Sequence, residues 1–350
     1  MKMLVVGARG LVGQGVLEAM DDADCELIAV SRRAPDFATR ADFVSVDLTD
    51  RDACRAAFSG LSGVTHVVYA ALHERPELIA GWRDEQQIAT NLAMLENVLD
   101  FVEPSEHLTL LQGTKAYGAH LHPMRNPGKE HHPRHAGPNF YWVQEDLVRE
   151  RAARCGWAFT IMRPQIVCGV AVGSPMNMTM AIGVYAAIQR ERGGPLSFPG
   201  GEEFITEATD AVLLGGAIRW AASAEESRDE TFNVTNGDQL VWRSAWQTVA
   251  DAFGMEVGGD QPTSLVETMP RHAELWDAMT RKYGLAGYGM DALVGSSWQF
   301  ADAVFGLHGG QHTLLSTVKI RQAGFGDCID TEVMLDGQLR RLQDLRILPS

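Results

Sequence analysis

Two short segments carry the residues best suited to chemistry. One is Thr114-Lys115-Ala116-Tyr117-Gly118. The other is Asn139-Phe140-Tyr141-Trp142-Val143-Gln144-Glu145-Asp146. A phenol such as Tyr141 can donate a hydrogen bond or a proton to a substrate oxygen. Its ordinary pKa is about 10, so a nearby cation is expected to lower it. Four residues after Tyr141 stands Glu145, not a lysine. The lysine expected to do that work is Lys115, on an earlier loop, where its ammonium could polarise Tyr141. Tyr117 is a second phenol and a candidate for substrate contact, with Trp142 and Met178 beside it as further candidates. A packed tyrosine and a solvated lysine are the plain alternatives. The pair gains weight from its place near the strand ends of a nucleotide-binding pattern.

That pattern begins at the first residues. Residues 3–6 are an apolar run ending in glycine and read as a buried parallel strand. A helix follows over 11–20. Further strands are expected at 27–30, 43–46, 64–71, 108–111 and 158–162, and helices at 50–58, 84–102 and 139–155. This alternation predicts an α/β fold with a Rossmann-type, doubly wound parallel sheet, which binds ligands at the carboxyl ends of its strands. After residue 163 the rhythm changes. Helices are expected at 178–190, 210–222, 243–253, 266–283, 298–305 and 313–323, with a short strand at 231–234. The expected division is a dinucleotide-binding domain over 1–165, its sheet completed by segments from about 205–240. A mainly helical, substrate-binding cap over 166–350 is interleaved with it.

Gly7-Ala8-Arg9-Gly10-Leu11-Val12-Gly13 sits between the first strand and the first helix. Glycine there permits a tight turn and close approach of the backbone to a pyrophosphate at a helix N-terminus. A structural glycine turn without a ligand is the alternative. The second strand ends Val30-Ser31-Arg32-Arg33 instead of in Asp or Glu. Guanidinium groups there suit a 2′-phosphate and predict NADP(H) over NAD. A solvated basic turn would explain one arginine more readily than both. Asp47-Leu48 is expected near the adenine, Tyr69-Ala70-Ala71 along the cofactor, and Gln112 at the end of the fifth strand beside it.

The 350 residues carry a net charge of −15, which points away from nucleic acid and from anionic membranes. Five scattered cysteines form no CxxC pair, and no apolar run has the length of a membrane span. The N-terminus lacks a signal-peptide layout, so the expected location is the cytoplasm. His120, His122, His131, His132 and His135 crowd a Pro-rich loop. A surface loop beside the site is favoured over a metal centre, so no metal is expected. A homodimer is the default assembly.

The two segments resemble those of the progesterone 5β-reductase/iridoid synthase-like group of atypical extended short-chain dehydrogenases. Most short-chain dehydrogenases place a lysine four residues after the tyrosine. This group instead carries it in a Thr-Gly-x-Lys-His-Tyr-type segment, with the tyrosine in Asn-Phe-Tyr-Tyr-x-x-Glu-Asp. Lys115 and Tyr141 fall on those two positions. The resemblance continues through Arg163-Pro164, Ser174-Pro175-Met176-Asn177, Phe198-Pro199-Gly200, Asn236-Gly237-Asp238 and Gly324-Phe325. Departures are Gly113-Thr114 for Thr-Gly, Ala116 for His, and Trp142 for the second Tyr. The resemblance implies an oxidoreductase that uses NADPH to reduce the C=C bond of α,β-unsaturated carbonyls, with small apolar or cyclic enones or enals as its substrates. Tyr141 would stabilise the enolate oxygen and Lys115 would assist. It also implies cofactor contacts from Ile166, Val167, Ser174 and Met176. A 1,2-reduction of an aldehyde or ketone is the alternative. A sugar-nucleotide epimerase or dehydratase and a non-catalytic NADP(H) sensor stand further off.

Overall fold

The structure, a computed structural model, describes residues 1–75 and 81–350. Its elements in chain order begin β1 (Lys2–Val6), α1 (Leu11–Ala19), β2 (Glu26–Ser31), β3 (Asp42–Ser45), α2 (Arg51–Phe58), β4 (His66–Tyr69) and α3 (Glu85–Leu99). Then come β5 (His107–Leu111), a 3-10 turn (Thr114–Tyr117), α4 (Phe140–Cys155), β6 (Ala158–Pro164) and β7 (Val167–Cys168). They are followed by α5 (Met178–Glu191), β8 (Thr209–Asp210), α6 (Ala211–Ala221) and β9 (Glu230–Val234). The chain divides into two compact units. The first is Met1–Gln165 with Ala211–Thr235 and Leu315–Asp327. The second is Ile166–Asp210 with Asn236–Leu314 and Cys328–Ser350.

In the first unit, seven strands form one sheet in the order β3-β2-β1-β4-β5-β6-β9, and every pairing is parallel. The order reverses between β1 and β4, which opens a ligand crevice at their carboxyl ends. Residues 3–6 have no side chain in water, as a strand covered on both faces requires. Val6 pairs with Val30 on one side and Tyr69 on the other, so the segments after β1, β2 and β4 emerge together.

Glycine decides how closely the parts approach. Gly7 has φ +87°, and a Cβ there would lie 2.7 Å from the Ala70 backbone. A Cβ on Gly15 would lie 2.0 Å from the Ala211 carbonyl oxygen, and one on Gly215 would lie 2.3 Å from the Gly15 carbonyl oxygen. Gly15 and Gly215 therefore let the backbones of α1 and α6 touch.

The second unit is mainly helical, with β7 and β8 as a short parallel pair. Helix α5 is buried from Met178 through Ile188. Trp246, Trp276, Phe198 and Phe305 pack in the same core. The helix expected over 266–283 is broken: Leu265–Thr268 and Ala273–Tyr283 are α-helical, and Met269–His272 between them is a 3-10 turn. Pro270 lacks the N–H an α-helix would need there. Of the helix expected over 313–323, only Val318–Gln322 forms. No helix among the described residues is long and apolar enough to cross a membrane.

Candidate active site

Helix α1 starts at Gly10, which offers no side-chain acceptor, and its first turn holds no acidic residue. The positive end of the helix dipole is thus left for an outside anion. A Cβ on Gly13 would sit 2.3 Å from the Gly7 carbonyl oxygen, so Gly13 closes helix onto turn. At the end of β2, Arg32 and Arg33 are exposed and make no ion pair among the described residues. The Ser31 hydroxyl donates to the Arg33 carbonyl at 2.7 Å, and the Ser45 hydroxyl donates to the Arg32 carbonyl at 3.0 Å. These bonds fix the basic turn while leaving both guanidinium groups unspent. A bare helix N-terminus and two exposed arginines fit the phosphates of a dinucleotide. Asp47 is exposed and held below the usual carboxylate range, first by the Thr49 amide and then by its hydroxyl.

Three of the residues expected at this end are engaged within the protein. The Arg9 guanidinium is not free, because Asp36 holds it in an ion pair. The Tyr69 ring points into the core, with its hydroxyl buried and without a hydrogen-bond partner among the described residues. Only the backbone there and the small Ala70 and Ala71 are left to border a ligand. Gln112 is also spent internally. Its amide nitrogen donates to Glu145 at 2.9 Å, and its amide oxygen accepts from Arg163 at 2.8 Å.

Lys115 and Tyr141 come together beyond β5. The Lys115 ammonium lies 5.7 Å from the centre of the Tyr141 ring, 4.4 Å from that of Trp82 and 5.6 Å from that of Phe140. Asn139 ties the two segments. Its side-chain oxygen accepts from the Tyr141 amide at 3.0 Å, capping α4. Its side-chain nitrogen donates to the Lys115 carbonyl at 3.0 Å. His135 adds a bond to the same carbonyl at 3.1 Å.

The Tyr141 hydroxyl lies over Gly113, where a Cβ would come within 3.3 Å of it. The Gly-Thr order at 113–114 thus leaves room for the phenol. Lys115 does not lower the Tyr141 pKa as expected. Burial, and then the Glu74 carboxylate, push the phenol above its ordinary value, while Arg163 opposes them. Tyr141 is therefore a neutral donor at physiological pH. Burial likewise lowers the Lys115 ammonium, against the pull of Glu74. Sequence reasoning missed Glu74; its spacing from Lys115 gave no signal, since only the crossover from β4 to β5 brings them together.

Glu145 explains why no lysine follows Tyr141 at the fourth position. Its buried carboxylate receives Gln112, Arg149 at 2.9 Å and Arg134 at 3.1 Å. Burial alone would raise its pKa, but these partners hold it below the ordinary value. A second cation pointing inward would displace this network. Tyr117 is bound to the same region: its hydroxyl donates to Asn233 at 2.6 Å, and Arg163 lies 5.2 Å from its ring centre. Tyr117, a candidate for substrate contact, thus has its hydroxyl engaged within the protein. Trp142 packs against Arg134, 4.9 Å from its ring, and His135.

In the second unit, Ile166 and Met176 hold φ of +37° and +58°. Such angles are strained for these side chains and concentrate at functional positions. Val167 pairs with Thr209, and the Ser174 carbonyl accepts from Ser297 at 3.5 Å. Met178, a candidate for substrate contact, is wholly buried in the core of the second unit. The histidines at 120–135 assemble no metal-binding group among the described residues.

A seven-stranded parallel sheet, a glycine turn into α1 and a Tyr–Lys pair at the strand ends define the extended short-chain dehydrogenase class. Residues 3–234 match the model of the NAD dependent epimerase/dehydratase family. The chain belongs to that family and, within it, to the progesterone 5β-reductase/iridoid synthase-like group. It is 31% identical over 335 residues to the 3-oxo-Delta(4,5)-steroid 5-beta-reductase of Arabidopsis thaliana, covering 87% of this chain and 83% of that protein. It is 28% identical over 372 residues to the (S)-8-oxocitronellyl enol synthase of Antirrhinum majus, covering 99% and 92%. The UDP-glucose 4-epimerase of Bifidobacterium longum, solved with NAD+ and UDP, shares the fold at a TM-score of 0.69 with 13% identity, covering 98% of each chain.

Proposed function

We propose that this protein is an NADPH-dependent oxidoreductase that reduces the C=C bond of α,β-unsaturated carbonyl compounds. The observation that carries the proposal is the Lys115–Tyr141 pair, held by Asn139 at the carboxyl edge of the sheet. The steroid reductase and enol synthase relatives support the substrate class.

Bound NADPH would supply the hydride. Gly7, Gly10, Leu11, Val12 and Gly13 would hold its pyrophosphate, and Ser31, Arg32 and Arg33 its 2′-phosphate. Asp47, Leu48, Ala70 and Ala71 would border the adenosine. Ile166, Val167, Ser174 and Met176 keep a proposed cofactor role. Tyr141, neutral and fixed at the helix start, would donate a hydrogen bond to the substrate's carbonyl oxygen. That bond strengthens as the oxygen gains enolate charge. Lys115 would keep a positive charge beside that oxygen and its donor. Aromatic neighbours Phe140 and Trp82 exclude water around the ammonium, which strengthens its field.

The test is oxidation of NADPH by the purified protein with cyclohex-2-enone and with a matched saturated ketone, followed by nicotinamide absorbance and product analysis. Saturated ketone product from the enone is expected. Allylic alcohol instead, or turnover of the saturated ketone alone, would move the assignment to carbonyl reduction.

A further inference from the structure

We infer that Glu74 is the counter-charge of Lys115 and positions its ammonium for the reaction, so that one buried ion pair controls the charge beside Tyr141. The inference rests on the Lys115 role proposed above. Its starting point is that a buried ammonium is costly without an opposite charge. Lys115 is 9% exposed and surrounded by Trp82, Phe140 and Tyr141. These rings offer their faces but no full charge. Glu74 supplies it: its Oε1 stands 3.7 Å from Lys115 Nζ, and its side chain is 5% exposed. This gap is too long for a hydrogen bond and short for Coulomb attraction.

Glu74 is aimed by its surroundings. Its other oxygen, Oε2, accepts from Gln87 Nε2 at 2.8 Å, which leaves Oε1 without a hydrogen-bond partner among the described residues. The Gln87 side-chain oxygen accepts from the Arg75 amide at 3.0 Å. Asn91 clamps His73 on both its amide and its carbonyl, each at 2.9 Å. Two residues of α3 thus hold the loop after β4, and the carboxylate it carries, against the turn after β5.

The other charged groups nearby have different partners or are neutral. Arg75 pairs with Asp84 at 2.7 Å, and Arg83 donates to the His120 carbonyl at 3.1 Å. His120 is pushed down to about 4, first by burial and then by Lys115, so it adds no charge near neutrality. His135 meets the Lys115 carbonyl, not the ammonium. Arg163 acts on Tyr141 from the Gln112 side. Burial raises the Glu74 carboxyl itself, while Lys115 and Gln87 restrain it. Acid therefore discharges Glu74 before an ordinary glutamate, and Lys115 then loses its anchor.

The test compares Glu74→Gln and Glu74→Asp with the native protein. NMR titration of isotope-labelled lysine in the cofactor-free protein, with Lys115 assigned by its loss in Lys115→Arg, reads the ammonium directly. The Lys115 midpoint should fall by about 1 unit or more in Glu74→Gln and return most of the way in Glu74→Asp. The basic limb of kcat against pH should move the same way, with kcat falling at least tenfold and KM for NADPH changing little. Circular dichroism checks that both variants are folded. An unmoved Lys115 midpoint in folded Glu74→Gln overturns the inference, as does an unchanged pH profile in an enzyme that turns over enones. A moved midpoint without NADPH oxidation by any enone supports the ion pair and sinks the proposed reaction instead.

Discussion

Asn139→Ala should weaken both the fold and the site, through two different bonds. The first is the cap on α4: Asn139 accepts from the Tyr141 amide at 3.0 Å. Losing such a cap costs ~1 kcal/mol. The second is the bond from its side-chain nitrogen to the Lys115 carbonyl at 3.0 Å, between two buried residues. Losing it costs about 1–2 kcal/mol, moderated because His135 still reaches that carbonyl at 3.1 Å. The sum is roughly 2–3 kcal/mol, a sizeable share of the ~5–15 kcal/mol that folds a typical domain. Urea unfolding, followed by circular dichroism, should show the midpoint fall accordingly. Turnover with NADPH and an enone should fall more steeply than stability suggests, because both proposed reacting groups hang from this one side chain. Asn139→Asp separates the terms. Its carboxylate keeps the cap but has no donor for the Lys115 carbonyl, so only the ~1 kcal/mol of the cap should be recovered, while turnover should stay as low as in Asn139→Ala. If Asn139→Ala leaves both midpoint and turnover unchanged, the tie between the two segments has no consequence and the reasoning fails.

Tyr141→Phe should lower turnover ~10²–10³-fold with NADPH binding nearly intact, measured by steady-state kinetics and cofactor titration; native turnover would remove Tyr141 from the reaction. Arg32→Ala should weaken NADPH binding far more than NADH binding, measured by fluorescence titration, and equal weakening of both would refute the phosphate role. Burial, and then His66 and Arg228, push the His107 imidazole from 6.5 down to about 3. Between those values the unfolded chain binds the extra proton. Stability from His107 is therefore fully present above about pH 6.5 and is lost as pH falls toward 3, by on the order of 5 kcal/mol. Denaturant unfolding at pH 7 and pH 5 should show a fall in the native protein that is smaller in His107→Gln, and equal slopes would count against it.

Much of this architecture was legible along the chain because parallel strands are buried on both faces and read as short apolar runs. The run 3–6, the glycines at 7, 10 and 13, and Asn139 before an aromatic helix start each announce local structure through neighbouring residues. Lys115 and Tyr141 were legible for the same reason, since each lies just beyond a strand or at a helix start. Local pattern failed where a residue's partner comes from elsewhere. Arg9 looks like a free cation until Asp36 folds against it. Tyr69 alternates onto the core side of β4, and Gln112 turns inward to Glu145 and Arg163.

The sequence by itself determined the strand–helix alternation, the anion-ready start of α1 and the placement of the proposed reacting pair, Lys115 and Tyr141, near strand and helix ends. These follow from periodicity and from residue chemistry acting over a few positions. Only the tertiary structure decided how that pair is charged. Burial keeps Tyr141 protonated, Glu145 is committed to arginines, and Glu74 faces Lys115. Each of those outcomes depends on distance and on exclusion of water between residues far apart in the chain, which no local spacing records.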